Sequence, residues 1–215
     1  MSCMDDGESC PTWLVEEKSR REVLRDGQPV LIRPLLYGDR HELAAGFAEL
    51  SPLSRRHRFF HTVNALDHDL LEHLTNIDYR DHFACVAVLE DRPVPKGVGV
   101  ARYVRDAGEP TVAEVAVTVA DAYQRRGIGT LLVRTLGEVA AGNGIRTFVN
   151  YVLWDNAAAM DLLADEQWRI SPAEPGVARI EVAVPPLREV PDSYLHRLIR
   201  TYVARMRDLA RRPPA

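Results

Sequence analysis

Cysteine is scarce in this chain. There are three in 215 residues, and no two stand in a C-x-x-C pair. A disulfide framework or a cysteine-ligated zinc site is therefore not expected. Cys3 and Cys10 lie in a polar leader, whereas Cys85 sits in the apolar run Phe83-Ala84-Cys85-Val86-Ala87-Val88 and reads as a small buried residue. An excess of positive charge is also lacking, with 27 Lys and Arg against 31 Asp and Glu and a formal net charge of −4. A dedicated nucleic-acid binder would carry the opposite balance. No uncharged stretch reaches the roughly 18 residues of a membrane-spanning helix. The first ten residues carry Asp5, Asp6 and Glu8 instead of the basic and apolar regions of a secretion signal. The expectation is a cytoplasmic protein with no membrane or nucleic-acid partner. His57 and His61 have i, i+4 spacing but no third ligand in view, and His41-Glu42 does not begin an HExxH motif. No metal site is expected.

What is present is an ordinary globular composition, 46% apolar and 27% charged. A chain of this length buries a core without staples. Asp26-Gly27 between Glu22-Val23-Leu24-Arg25 and Val30-Leu31-Ile32-Arg33 predicts a hairpin. Asp39 is placed to cap a helix through Leu43, Phe47 and Leu50. Ser51-Pro52 starts a second helix, which carries Arg55, Arg56 and Arg58. A third runs from Asp67 to Thr75. The segments 83–89, 97–104 and 111–120, separated by turn-rich loops, predict an antiparallel meander.

The period then changes. Residues 127–141 place Ile128, Leu131, Leu132, Leu136 and Val139 at helical spacing, ended by Gly142-Asn143-Gly144. A strand over 145–153, a helix over 156–166 and a strand over 177–184 follow. A meander followed by alternating helices and strands predicts an α/β (α+β) domain on a mixed, mostly antiparallel sheet.

The chemistry concentrates where the strand ending at Ala120 passes through Asp121-Ala122-Tyr123-Gln124-Arg125-Arg126 into Gly127-Ile128-Gly129-Thr130. Free N–H groups and the dipole at a helix N-terminus attract anions. Two glycines let a phosphate approach the backbone, and Arg125 and Arg126 add positive charge. A pyrophosphate fits. No Walker A lysine or third glycine is present, and a plain strand-to-helix junction is the alternative.

The run Gln124-Arg125-Arg126-Gly127-Ile128-Gly129 resembles the Gln/Arg-x-x-Gly-x-Gly/Ala acyl-CoA loop of the GNAT superfamily of N-acyltransferases. The order of elements from Val30 to Val184 matches as well. The resemblance implies a GNAT fold whose sheet is splayed at the acyl-CoA site, with acetyl-CoA as co-substrate. The amides of Arg125, Arg126, Gly127, Ile128, Gly129 and Thr130 would hold the pyrophosphate. Backbone groups of Val117 and Val119 would hold the pantetheine arm and the thioester oxygen. Asn156 would lie near the cofactor.

Glu114, ten residues before Gln124 on the same strand, is the candidate general base. An amine arrives as an ammonium and must lose a proton before attacking a thioester. A carboxylate in a partly apolar cleft can take that proton. A solvent-facing glutamate, or one paired with an arginine, is the alternative. Leu163 stands where many family members keep a tyrosine as general acid.

Leu24-Arg25-Asp26-Gly27, Ile32-Arg33-Pro34, Leu50-Ser51-Pro52-Leu53-Ser54-Arg55-Arg56, Arg58-Phe59-Phe60 and Thr75-Asn76-Ile77-Asp78-Tyr79 are similar to one GNAT subgroup. This is the catalytic domain of bacterial, notably actinobacterial, protein lysine acetyltransferases, which is often fused to a nucleotide- or amino-acid-binding regulatory domain. The resemblance implies acetyl transfer to a protein lysine ε-amine, without that regulatory domain. A small-molecule amine acceptor and a catalytically idle acyl-CoA sensor are the alternatives. The expected organisation is a leader over 1–20, a GNAT domain over 21–185 and a helical extension over 186–215. The apolar stripe Leu195, Leu198, Ile199, Tyr202, Met206 and Leu209 of that extension is expected to dock on its own domain or to form a homodimer.

Overall fold

The computed structural model describes residues 12–60, 63–154 and 169–184. Cys3, Cys10, His61, Asn156, Leu163 and the C-terminal amphipathic segment lie outside them.

Eight strands form one sheet in the order β1-β2-β3-β4-β5-β6-β8-β7. They are β1 (Arg20–Val23), β2 (Pro29–Pro34), β3 (His82–Leu89), β4 (Lys96–Arg105), β5 (Val112–Val119), β6 (Thr147–Leu153), β7 (Arg169–Glu174) and β8 (Val177–Ala183). Six of these seven pairings are antiparallel, and only β5 with β6 is parallel. The five α-helices among the described residues are α1 (Thr12–Lys18), α2 (Arg40–Ala48), α3 (Pro52–Phe59), α4 (His68–Thr75) and α5 (Ile128–Gly142). The mixed, mostly antiparallel sheet and the 83–120 meander match the sequence expectation.

Local chemistry explains most boundaries. Gly27 turns the first hairpin at φ 85°, a conformation that costs glycine little. Ser51 caps α3 by accepting from the Ser54 amide at 3.2 Å, and Asp67 caps α4 by accepting from the Leu70 amide at 2.8 Å. Asp39 precedes α2 but does not cap it. Its carboxylate instead takes both ends of the Arg33 guanidinium at 2.7 Å each, together with the Leu36 amide at 2.8 Å. A bidentate ion pair outcompetes a single cap bond for the same oxygens.

β3 is buried along its whole length, as a continuous apolar run requires when both faces are covered. On one face α5 packs Ile128, Leu132 and Leu136 against Cys85, Ala87, Ala101 and Tyr103. Gly99 permits this close approach, because a Cβ there would meet Leu132 at 3.1 Å and Ile128 at 3.2 Å. Burial pushes the Cys85 thiol up to about 12, so it stays protonated and inert near neutral pH. The opposite face, built on Ala84, Val86, Val88 and Leu35, lies on the side of α2, α3 and α4.

Two elements escaped the sequence reading. Strand β7 contains Pro172 and sits at the outer edge beside β8, where a missing N–H costs no ladder bond. Helix α1 falls inside the segment read as a leader.

Candidate active site

β5 pairs with β4 along its length, from Ala113 opposite Arg105 to Val119 opposite Gly99. On its other edge it pairs with β6 only at Val112, Ala113 and Glu114. Beyond Glu114 the strands separate, and β6 continues with β8 from Asn150 to Leu153. The β6-facing edge from Val115 to Val119 therefore has no strand partner among the described residues. This wedge brings together the backbones of Val117 and Val119, which the sequence reading had singled out. Val117 is half-exposed, whereas Val115 and Val119 pack toward the α5 core. The Val119 carbonyl already accepts from Gln124 Nε2 at 3.0 Å, so the glutamine closes the strand end.

The wedge leads to the N-terminus of α5. Arg125 and Gly127 both take left-handed backbone, at φ 66° and 97°. These two reversals turn the chain from strand to helix. Gly127 is the N-cap residue and supplies no side-chain bond to the first turn, which also contains no acidic residue. The first N–H groups of a helix have no partner within it. Here no side chain among the described residues caps them, and the positive end of the dipole lies behind them.

The two arginines separate. Arg125 is exposed. Arg126 turns back to the first hairpin, donating to Asp26 at 3.1 Å and Gln28 at 3.3 Å, with its guanidinium 5.1 Å from the Tyr123 ring centre. Its side chain braces the loop against the first hairpin. Ile128 and Thr130 are buried, anchoring the first turn. A Cβ at Gly129 would reach only Val119, at 3.9 Å.

Glu114 is exposed and stands at the apex of the wedge. Strand alternation puts it on the same face as Thr118 and Ala120, which line a cavity of about 320 Å³ between β4 and the helices α2 to α4. Arg58, from the last turn of α3, lines that cavity too, and the Glu114 carboxylate favours its charged form against the desolvation that lowers its pKa. Asp121 joins the two halves of the site. It follows β5 directly and accepts from the Ser51 amide at 2.9 Å and the Ser54 hydroxyl at 2.7 Å. Burial works to raise its pKa, but these donors outweigh burial and lower it. The start of α3 is thereby fixed to the start of the Gln124–Thr130 loop.

Arg102 was missed by the sequence reading. It is 6% exposed and donates to the Leu74 carbonyl at 3.0 Å, with His82 Nε2 3.1 Å away. The available signal was an arginine inside the apolar segment 97–104. Among the described residues no group of three acidic, histidine or cysteine side chains is placed to hold a metal, and no helix is long and apolar enough to cross a membrane.

Comparison with known proteins decides the family. The Acetyltransferase (GNAT) family profile matches residues 47–165. The chain belongs to the GNAT family. It is similar to Acetyltransferase Pat of Mycolicibacterium smegmatis, with 38% identity over 169 residues, covering 78% of this chain and 50% of the relative. It is also similar to Acetyltransferase PA5475 of Pseudomonas aeruginosa, with 38% identity over 141 residues, covering 66% of this chain and 75% of the relative. The crystal structure of the GNAT domain of S. lividans PAT superposes with a TM-score of 0.70 at 28% identity, covering 81% of this chain and 99% of that domain. The chain thus spans half the length of the Mycolicibacterium protein and matches an isolated GNAT domain nearly end to end.

Proposed function

We infer that this protein is an acetyl-CoA-dependent N-acetyltransferase acting on a protein lysine ε-amine in the cytoplasm. The observation that carries the reading is the parting of β5 from β6 directly after Glu114, with the uncapped N-terminus of α5 at the far end of the opened edge. That edge offers strand-like hydrogen bonds to an extended amide arm, and the helix end offers N–H groups to a pyrophosphate. Val117 and Val119 take the first role, and the amides of Arg125 to Thr130 the second. Asn156, outside the described residues, is assigned beside the cofactor. Acetyl-CoA supplies an acetyl thioester.

Glu114 accepts a proton from the acceptor ammonium, directly or through a water. The freed amine attacks the thioester carbonyl carbon, the C–S bond breaks, the nitrogen loses its remaining extra proton to solvent, and the acetyl group is left on nitrogen as a neutral amide. A backbone amide on the open edge stabilises the oxyanion that forms on the way. Leu163 cannot donate a proton, so the thiolate of CoA takes its proton from solvent.

The lysine acceptor rests on the resemblance of Leu24-Arg25-Asp26-Gly27, Ile32-Arg33-Pro34 and Leu50–Arg56 to the catalytic domains of bacterial protein lysine acetyltransferases. A small amine is the second reading, favoured by the mostly apolar cavity of about 320 Å³ on the Glu114 face of β5. The test is isotopically labelled acetyl-CoA incubated with the protein and desalted host lysate, with Glu114→Gln in parallel, followed by mass spectrometry of proteins and small molecules. Labelled lysines absent from the variant support the first reading. Label confined to small amines supports the second. Saturable acetyl-CoA binding without any transfer would leave an acyl-CoA sensor.

A further inference from the structure

The cavity between β4 and the helices α2 to α4 has a charge distribution that its own residues do not balance. Its walls are mostly aliphatic and aromatic, with Leu35, Phe47 and Val86 among them. Three arginines line it. Arg33 is neutralised by Asp39 through two bonds of 2.7 Å. Arg58 and Arg102 are not neutralised, for neither makes an ion pair among the described residues. Arg58 rests its guanidinium 4.8 Å from the Phe59 ring centre, a contact that leaves its N–H edge free. Arg102 is more than nine-tenths buried, and its bonds go to a carbonyl and to a histidine. That histidine, His82, is kept neutral by its own burial and by Arg102 beside it.

Buried charges are normally paired, because desolvating an ion without a partner is costly. Two guanidinium groups on one low-dielectric cavity also repel each other, and each is held below the usual arginine pKa mainly by desolvation. The carboxylates nearby relieve this only in part. Glu114, exposed and outside the lining, favours the charged form of Arg58 but makes no ion pair with it, Asp39 is engaged by Arg33, and Glu42 on the lining is exposed. An anion entering the cavity would complete both arginines at once. The volume of about 320 Å³ suits a small molecule, since ligand sites begin at roughly 300 Å³.

We propose that this cavity binds a small monocarboxylate with an apolar body, its carboxylate held by Arg58 and Arg102 and its body against the aliphatic wall. A planar guanidinium matches a carboxylate in two bonds at once, and the apolar wall rewards a branched or aromatic substituent. The site is independent of the acetyl-transfer reading, because binding is observable without acetyl-CoA. Such a ligand has two sources. An α-amino acid would carry its amine on the carbon next to the carboxylate and would be acetylated. A simple carboxylic acid could only bind.

The experiment titrates phenylacetate and its neutral isostere phenylacetamide into the full chain, by calorimetry and by amide NMR shifts. Phenylacetate is expected to bind saturably and at least about tenfold more tightly than the amide, since the anion alone meets the arginines. Arg58→Gln, at the partly exposed end of α3, is expected to remove that preference while the melting curve stays cooperative. Arg102→Gln disturbs a buried residue and is read only if the variant folds. L-Phenylalanine with acetyl-CoA then separates the two sources. Formation of N-acetylphenylalanine makes the cavity an acceptor site, and binding without product makes it a site for a non-reacting ligand; both support the proposal. Absence of saturable binding, equal affinity for acid and amide, or an unchanged preference in Arg58→Gln would overturn it.

Discussion

Glu114 and Val149 are the last register pair between β5 and β6, and the sheet opens directly beyond them. The candidate base therefore stands at the closed end of the wedge that is assigned to the acyl arm. Proton acceptor and open hydrogen-bonding edge belong to one strand, and a single break in pairing places both.

The two loop glycines are expected to respond differently to a methyl group. Gly127 lies at φ 97°, where an L-residue costs on the order of 1–2 kcal/mol, so Gly127→Ala should lower the melting temperature by several degrees. Gly129 has helical backbone, and its added Cβ would make only an ordinary contact with Val119. Gly129→Ala should therefore fold as well as the parent yet bind acetyl-CoA more weakly, because the methyl group intrudes on the anion's approach. Thermal melts and calorimetric titration check both. Unchanged acetyl-CoA affinity in Gly129→Ala would count against the loop as the pyrophosphate site.

Arg125 and Arg126 are neighbours with different work. The Arg126 side chain is committed to Asp26, Gln28 and Tyr123, whereas Arg125 is exposed. Arg126→Ala should change stability by less than about 1 kcal/mol, as exposed ion pairs do. Arg125→Ala should weaken acetyl-CoA binding more than Arg126→Ala does, by roughly fivefold for one surface charge contact. Affinities in low and high salt check this, since a charge contribution shrinks as salt rises. The reverse order would place the phosphates on the hairpin side of the loop.

His82 gives the fold a pH dependence. Desolvation, with the Arg102 charge next, lowers its pKa from 6.5 to about 4. Below pH 6.5 the unfolded chain takes up a proton that the folded chain does not. Stability should therefore fall as pH drops from about 6.5 to 4, by up to about 3 kcal/mol from this residue, and be fully present above that window. Denaturant midpoints of the parent and His82→Gln across that range test the point. The variant should lose much of the slope, and an unchanged slope would assign it to other groups.

The sequence exposed those parts of the fold whose signal is local. Asp26-Gly27 and Ser51-Pro52 each act within a few residues, and each stands where the pattern put it. The apolar run at β3 is legible because both its faces are covered. Asp39 was misread because its partner, Arg33, comes from the preceding strand, and capping patterns do not register such competition. β7 was missed because an edge strand needs little apolar patterning and tolerates Pro172.

The site divides the same way. Loop, glycines and Glu114 occupy one contiguous run and could be picked out together. The cavity could not, since Arg58 and Arg102 come to line it together only after α3 is laid against β5, beside β4. The tie from Asp121 to Ser51 and Ser54, which holds α3 there, spans about seventy residues and leaves no mark in the spacing.

The most direct test is the pH–rate profile of CoA release for the parent and for Glu114→Gln, with an acceptor identified by the labelling experiment. The account predicts a fall in kcat/KM of about a hundredfold or more and loss of the acidic limb in the variant, with acetyl-CoA affinity unchanged. An unchanged rate and profile in Glu114→Gln would show that this carboxylate is not the base.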